Sequence, residues 1–134
     1  QWDGYPGERE KLYEIMSKSK SNIILAGDSH NSWLSNLYNK KNTFIGIEVG
    51  APAISAPSLV DTYKETTELI EKLFVDENEN LLWMNGRNQG YTSLTIFTDH
   101  IDIAFNYVST VKSSNYENLS PQVFRVEHQK PLSV

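Results

Sequence analysis

Gly27, Asp28, Ser29 and His30 set a carboxylate and an imidazole two positions apart. On an extended chain, side chains at i and i+2 project to one side, so both donors reach the same space. A hard oxygen and a borderline nitrogen together suit a divalent or trivalent metal ion. The same residues admit a purely structural reading, with Asp28 capping a following helix and His30 packing or facing solvent. Two donors fall far short of a two-metal phosphoester site, which takes on the order of ten bonds to ions roughly 4 Å apart. The remaining histidines add none: His100 falls in a hairpin turn and His128 in a polar tail, where side chains are ordinarily solvated. No Ser-His-Asp order, glycine-rich phosphate loop or pair of catalytic carboxylates stands out, so no catalytic residue is assigned. Trp2, Tyr5, Trp33 and Trp83 lie in or beside predicted loops. They either frame a pocket or staple those loops to the core, the commoner use of so large an apolar area.

The element that must position Asp28 and His30 is a strand. Residues 23–26 form a short unbroken apolar run, which predicts a central strand covered on both faces and puts the Gly-Asp-Ser-His stretch at its carboxyl end, where open α/β sheets bind ligands. Residues 29–32 then cap a predicted short helix running to Leu37 or Tyr38, whose first amides could hold a phosphate. Upstream, residues 7–18 read as a helix with Leu12, Ile15 and Met16 as its core stripe. Alternation of Ile45, Ile47 and Val49 predicts a second strand over 43–49, followed by a loop over 50–57. Helical spacing of Leu59, Val60, Tyr63, Ile70, Leu73 and Phe74 predicts a second long helix over 58–74. Residues 81–90 have no clean period. Residues 91–97 and 101–108 read as a hairpin closed by Thr98, Asp99 and His100, and a last edge strand is expected over 122–127.

Composition narrows the function further. A chain of 134 residues that is 39% hydrophobic and 22% charged is expected to form one globular domain. No apolar run approaches the roughly 20 residues of a membrane-crossing helix, and residues 1–7 lack the pattern of a signal peptide. Zero cysteines remove disulfides, thiolate ligands and cysteine nucleophiles together. A net charge of -5 argues against a nucleic-acid duplex as partner.

Four blocks stand in a familiar order: WDGYPGER at 2–9, GDSHNSWLSNL at 27–37, GIEVGAPAISAP at 46–57, and Asn78, Leu81, Trp83 and Asn85 before Gly90 and Tyr91. By these blocks the chain resembles the carboxyl-terminal part of the PhoD-like alkaline phosphatases and phosphodiesterases, a branch of the metallophosphoesterases. The resemblance implies an α/β fold, the C-terminal half of a calcineurin-like α/β/β/α sandwich, with a mixed sheet and a C-terminal antiparallel hairpin. Residues 1–113 would be the C-terminal part of the phosphatase domain, and 114–134 its linker and edge strand. It also implies metal-assisted hydrolysis of phosphate esters, with Asp28 and His30 as metal ligands, Trp2, Tyr5 and Asn31 as substrate-binding residues, and iron with calcium as the ions. Family members are typically exported. Their earlier metal motifs precede the WDGYP block, so this chain is expected to be a fragment that is inactive alone and whose open sheet edge a second copy could cover. The rival expectation is a non-catalytic binding or interaction module in which Asp28 and His30 are structural.

Overall fold

The computed structural model describes residues 4–134. Helix α1 (Pro6–Met16) opens on Pro6, where a missing amide costs nothing. Strands β1 (Ile23–Ala26), β2 (Ser32–Tyr38) and β3 (Phe44–Gly50) follow. Then come helix α2 (Leu59–Tyr63), a 3-10 turn (Lys64–Thr66), helix α3 (Thr67–Glu77), and strands β4 (Leu81–Asn85), β5 (Gly90–Ile96), β6 (His100–Tyr107) and β7 (Gln122–Glu127). The first sheet has the order β1-β3-β2-β4, with β1 parallel to β3 and the other neighbours antiparallel. The second is the antiparallel sheet β5-β6-β7. The architecture is therefore mixed α/β with two sheets, and the expected hairpin and the edge strand at 122–127 are both present.

Period-two alternation builds the core. Leu34 of β2 lies opposite Val49 of β3 and Asn36 opposite Ile47, so these residues share one face of the first sheet. Ile103, Phe105 and Tyr107 of β6 and Phe124 and Val126 of β7 share the facing side of the second. Leu34, Ile47 and Val49 merge with those five into one buried cluster. Trp83 of β4 bridges the layers, its ring centroid 4.9 Å from Phe105 and 5.0 Å from Phe124. Buried Asn36 ties down the tail with two bonds of 3.0 Å, to the carbonyl oxygen and the amide of Leu132.

The structure corrects several expectations. No helix follows the Gly-Asp-Ser-His stretch. Residues Ser32–Tyr38, where that helix was expected, form β2, because Ser32, Leu34 and Asn36 alternate into the core and Leu34 pairs with Val49 on one side and Trp83 on the other. With that helix go both its phosphate-holding amides and the helix-capping role of Asp28. Strand β1 is not central among the described strands: it lies at the sheet edge, with Leu25 65% exposed, and β3 and β2 are the interior strands. Helix α1 buries none of its residues, and Ile15 of its supposed core stripe is exposed.

The second long helix is broken. Lys64 takes a positive φ of 49°, and the hydroxyls of Thr66 and Thr67 bond back to the carbonyls of Tyr63 and Lys64 at 2.7 Å each, a local competitor of the helical ladder. Helix α3 buries Thr67 and Glu71 and leaves Leu73 and Phe74 exposed, the reverse of the expected face. Trp33 and Trp83 stand in β2 and β4 rather than in loops. Strand β4 has no visible period because all five of its residues are half-buried. No helix among the described residues is long and apolar enough to cross a membrane.

The two opposite burial assignments separate cleanly in solution. Phe105→Ala is expected to lower folding stability by about 3–5 kcal/mol in urea unfolding, and Ile15→Ala by no more than about 0.5 kcal/mol. Equal losses at the two positions would contradict this core.

Candidate functional site

Because β1 and β3 are parallel, their carboxyl ends, Ala26 and Gly50, lie side by side. The amide of Ala51 donates to the carbonyl of Ala26 at 2.9 Å and closes the pair. Just beyond, the chain reverses from β1 into β2. Asp28 and His30 make that reversal in the left-handed region, at φ 70° and 63°, a conformation that costs a non-glycine residue roughly 1–2 kcal/mol. The expectation of an extended terminus with both side chains on one side is thus corrected. Left-handed non-glycine residues persist where their surroundings overdetermine them, and they cluster at ligand sites.

The surroundings here are specific. His30 Nδ1 lies 2.8 Å from the carbonyl oxygen of Pro57. A carbonyl only accepts, so Nδ1 carries the proton, and in the neutral ring Nε2 keeps its lone pair. Asn31 is buried behind the turn, with its Nδ2 donating to the Ser29 carbonyl at 2.5 Å and its Oδ1 accepting from the Leu59 amide at 3.3 Å. The next residue, Ser32, is fully buried, and its Oγ accepts from the Tyr107 hydroxyl at 2.8 Å. Burial pushes the Tyr107 phenol up to about 12, with the Ser32 bond and Arg87 opposing that rise and the Glu71 carboxylate adding to it. Asp61, at the start of α2, is held below the usual carboxylate range, first by the Ser58 amide and then by Lys112.

Asp28 and Ser29 line a cleft of about 800 Å³ together with Arg9 and Tyr13 of α1, Trp33 and Glu48. Trp33 lies across Gly50, where a Cβ would come within 2.1 Å of the indole, so only glycine admits the ring there. A second cleft, of about 540 Å³, opens at the other end of β1 and β3 and includes His100 and His128. These two histidines are better anchored than expected. His100 stacks on Phe97 at 4.4 Å and bonds Asp99 at 2.7 Å, and His128 bonds Ser21 at 2.8 Å.

A family model described as PhoD-like phosphatase matches residues 1–105. The chain belongs to the PhoD-like phosphatase family. It is 32% identical over 102 residues to alkaline phosphatase D of Bacillus subtilis (strain 168), a match that covers 71% of this chain. The chain spans 16% of the length of that relative. The fold is also that of a solved structure titled "Structure of PhoD", with a TM-score of 0.71 and 22% identity over 96% of this chain and 25% of that one.

Against a metal ion, the turn offers two donors: the exposed carboxylate of Asp28 and Nε2 of His30, the ring nitrogen that the Pro57 carbonyl does not engage. Among the described residues, no group of three or more His, Asp or Glu side chains converges to hold an ion. Both Asp28 and His30 are donors of a kind that suits a metal ion; Asp28 lines the cleft described above and His30 does not. Of the residues expected to bind substrate, Trp2 lies outside the described residues. Tyr5 is exposed ahead of α1 and does not line the cleft. The amide of Asn31 is committed to the turn. Sequence reasoning passed over Glu71, Gly86 and Tyr107, since a Glu within an apolar helix pattern and a Tyr at an alternating strand position carry no local sign of partners.

Buried Tyr107 makes stability depend on alkaline pH. With the folded value raised to about 12 from an ordinary value of 10.0, its contribution is fully present below pH 10 and is lost as pH rises through 12, because the unfolded chain gives up the proton first. The wild type is therefore expected to lose roughly 2–3 kcal/mol more than Tyr107→Phe across that window, measured by denaturant unfolding at stepped pH. Parallel curves would contradict the buried phenol.

Proposed function

We propose that this chain supplies the last metal-binding stretch of a metal-dependent phosphatase acting on phosphate mono- or diesters, with Asp28 and His30 as ligands. One observation carries the proposal: the Pro57 carbonyl fixes the His30 tautomer whose Nε2 is free, in a strained turn that also exposes Asp28. Metal-ligating histidines are held in this way, with the second ring nitrogen donating to a carbonyl or carboxylate.

When bound, a metal ion there would polarise the phosphoryl group and lower the pKa of a bound water. The chain's own residues hold and orient. Asp28 contributes an oxygen and a negative charge, and His30 contributes a nitrogen aimed by Pro57. Asn31 keeps the turn from opening, and Arg9 brings positive charge to the cleft that an anionic ester would enter. An oxygen donor beside an imidazole suits iron with calcium, the pair the family resemblance implies. Closed sites use about four ligands and calcium takes 6–8, so most of the shell must come from elsewhere in a longer parent chain or from a second copy. Approach of Trp2 to the substrate, and export of the parent, belong to the same proposal.

The test uses the parent enzyme and a nitrophenyl phosphate ester. Turnover is expected to vanish with chelator. Because loss of even an outer partner of a metal ligand costs 10–100-fold, Asp28→Ala and His30→Ala are each expected to lower kcat/KM by at least about 100-fold. Chelator-insensitive turnover would overturn the proposal. The 134-residue chain alone is expected to show no phosphatase activity, and calorimetric titration with calcium, manganese or iron is expected to show no micromolar binding. Tight binding abolished by both substitutions would mean that the count of two ligands is wrong.

A further inference from the structure

Glu71 is a carboxylate 5% exposed in the middle of α3, and the chemistry proposed above makes no use of it. Burying a charge is costly unless it is paired and hydrogen-bonded. Both of its oxygens are engaged: Oε1 accepts the Gly86 amide at 2.6 Å, and Oε2 lies 3.1 Å from Nη2 of Arg87. Gly86 and Arg87 lie in the connection from β4 to β5, so α3 grips that connection at its first residues. The grip passes onward. The carbonyl of Gly86 accepts the Val60 amide at 3.0 Å. A Cβ on Gly86 would come within 2.9 Å of Leu59 Cβ and 3.0 Å of Asn31 Oδ1, so Gly86 is seated directly against both.

These contacts bear on the turn. Leu59 donates to Asn31 Oδ1, Asn31 Nδ2 donates to Ser29, and Pro57, two residues before Leu59, accepts from His30 Nδ1. Residues 57–60 are therefore clamped between the β4–β5 connection on one side and the turn of Asp28 and His30 on the other. Removing the carboxylate frees Gly86, and 57–60 loses the backing that holds the Pro57 carbonyl against the imidazole.

We propose that Glu71 is a positioning residue for His30: by fixing Gly86 it holds residues 57–60 in place and so sets the His30 tautomer and ring orientation. Its importance for catalysis rests on reading His30 as a metal ligand. The conformational effect itself stands apart from that reading and can be seen without metal.

Long-range 1H–15N NMR of the imidazole, on metal-free protein, reports which ring nitrogen is protonated. The wild type is expected to show Nδ1–H. In Glu71→Ala the tautomer ratio at His30 is expected to move roughly fivefold toward Nε2–H, the population shift that follows from losing one ordinary hydrogen bond. Glu71→Asp keeps the charge but withdraws it by one methylene, and is expected to show a smaller shift in the same direction. Glu71→Gln retains an acceptor for Gly86 and is expected to stay near wild type. Val126→Ala, a core truncation in β7, destabilises the fold elsewhere and is expected to leave His30 unchanged, which separates positioning from general loosening. An unchanged tautomer in whichever of Glu71→Ala and Glu71→Asp remains folded, by amide dispersion, overturns the proposal, as does an equal shift in Val126→Ala. If His30→Ala leaves the parent's metal content and turnover intact while the tautomer still follows Glu71, the metal reading fails and the positioning inference survives.

Discussion

Face-to-face packing of the two sheets is the contact on which the rest of this structure depends. Leu34, Ile47 and Val49 meet Ile103, Phe105 and Phe124 in one buried apolar cluster, with Trp83 packed against it. A strand can bury one face only if its residues alternate in step with the facing sheet, and a slip of one residue would turn that whole face outward. The packing therefore fixes the register of β2, and β2 begins two residues after His30. The turn that carries Asp28 and His30 has its downstream end anchored in the most completely buried part of the molecule.

Polar groups extend that anchoring where apolar contact runs out. Tyr107 reaches from the second sheet to Ser32, Asn31 bridges Ser29 and Leu59, and Pro57 receives His30. Buried polar atoms left without partners cost more than the bonds return when made, so networks of this kind are effective when satisfied throughout. Here the satisfied bonds hold two residues in a left-handed conformation that neither prefers. The molecule thus holds a strained turn at the carboxyl end of a parallel strand pair, a place where α/β sheets expose backbone and side chains to ligands. Two side chains of metal-binding type, those of Asp28 and His30, issue from that turn.

Where local pattern and burial agree, the elements were legible. Alternating apolar residues mark strand β3 and strand β6 of the hairpin, Ile45, Ile47 and Val49 in one and Ile103, Phe105 and Tyr107 in the other are buried, and the hairpin, β3 and the edge strand β7 occur where they were expected. Expectations failed where burial came from distant partners. The residues of β2 begin like a capped helix, and only pairing with β3 on one side and β4 on the other makes them a strand. In α3 the apolar spacing pointed to Leu73 and Phe74 as core, yet the helix turns Thr67 and Glu71 inward. A buried carboxylate is costly alone and tolerable once the Gly86 amide and Arg87 meet it, and those partners lie 15 and 16 positions away along the chain.

The candidate site divides in the same way. Asp28 and His30 were identifiable from residue type, spacing and the apolar run before them, because donor chemistry is a property of the side chain and a strand end is a local feature. The tautomer of His30, the commitment of Asn31 to the turn and the support that reaches it from α3 were decided only by the tertiary structure. Each depends on a carbonyl or amide brought close from another segment, Pro57, Leu59 or Gly86, and a hydrogen bond between residues far apart in sequence leaves no mark on the composition or periodicity of either.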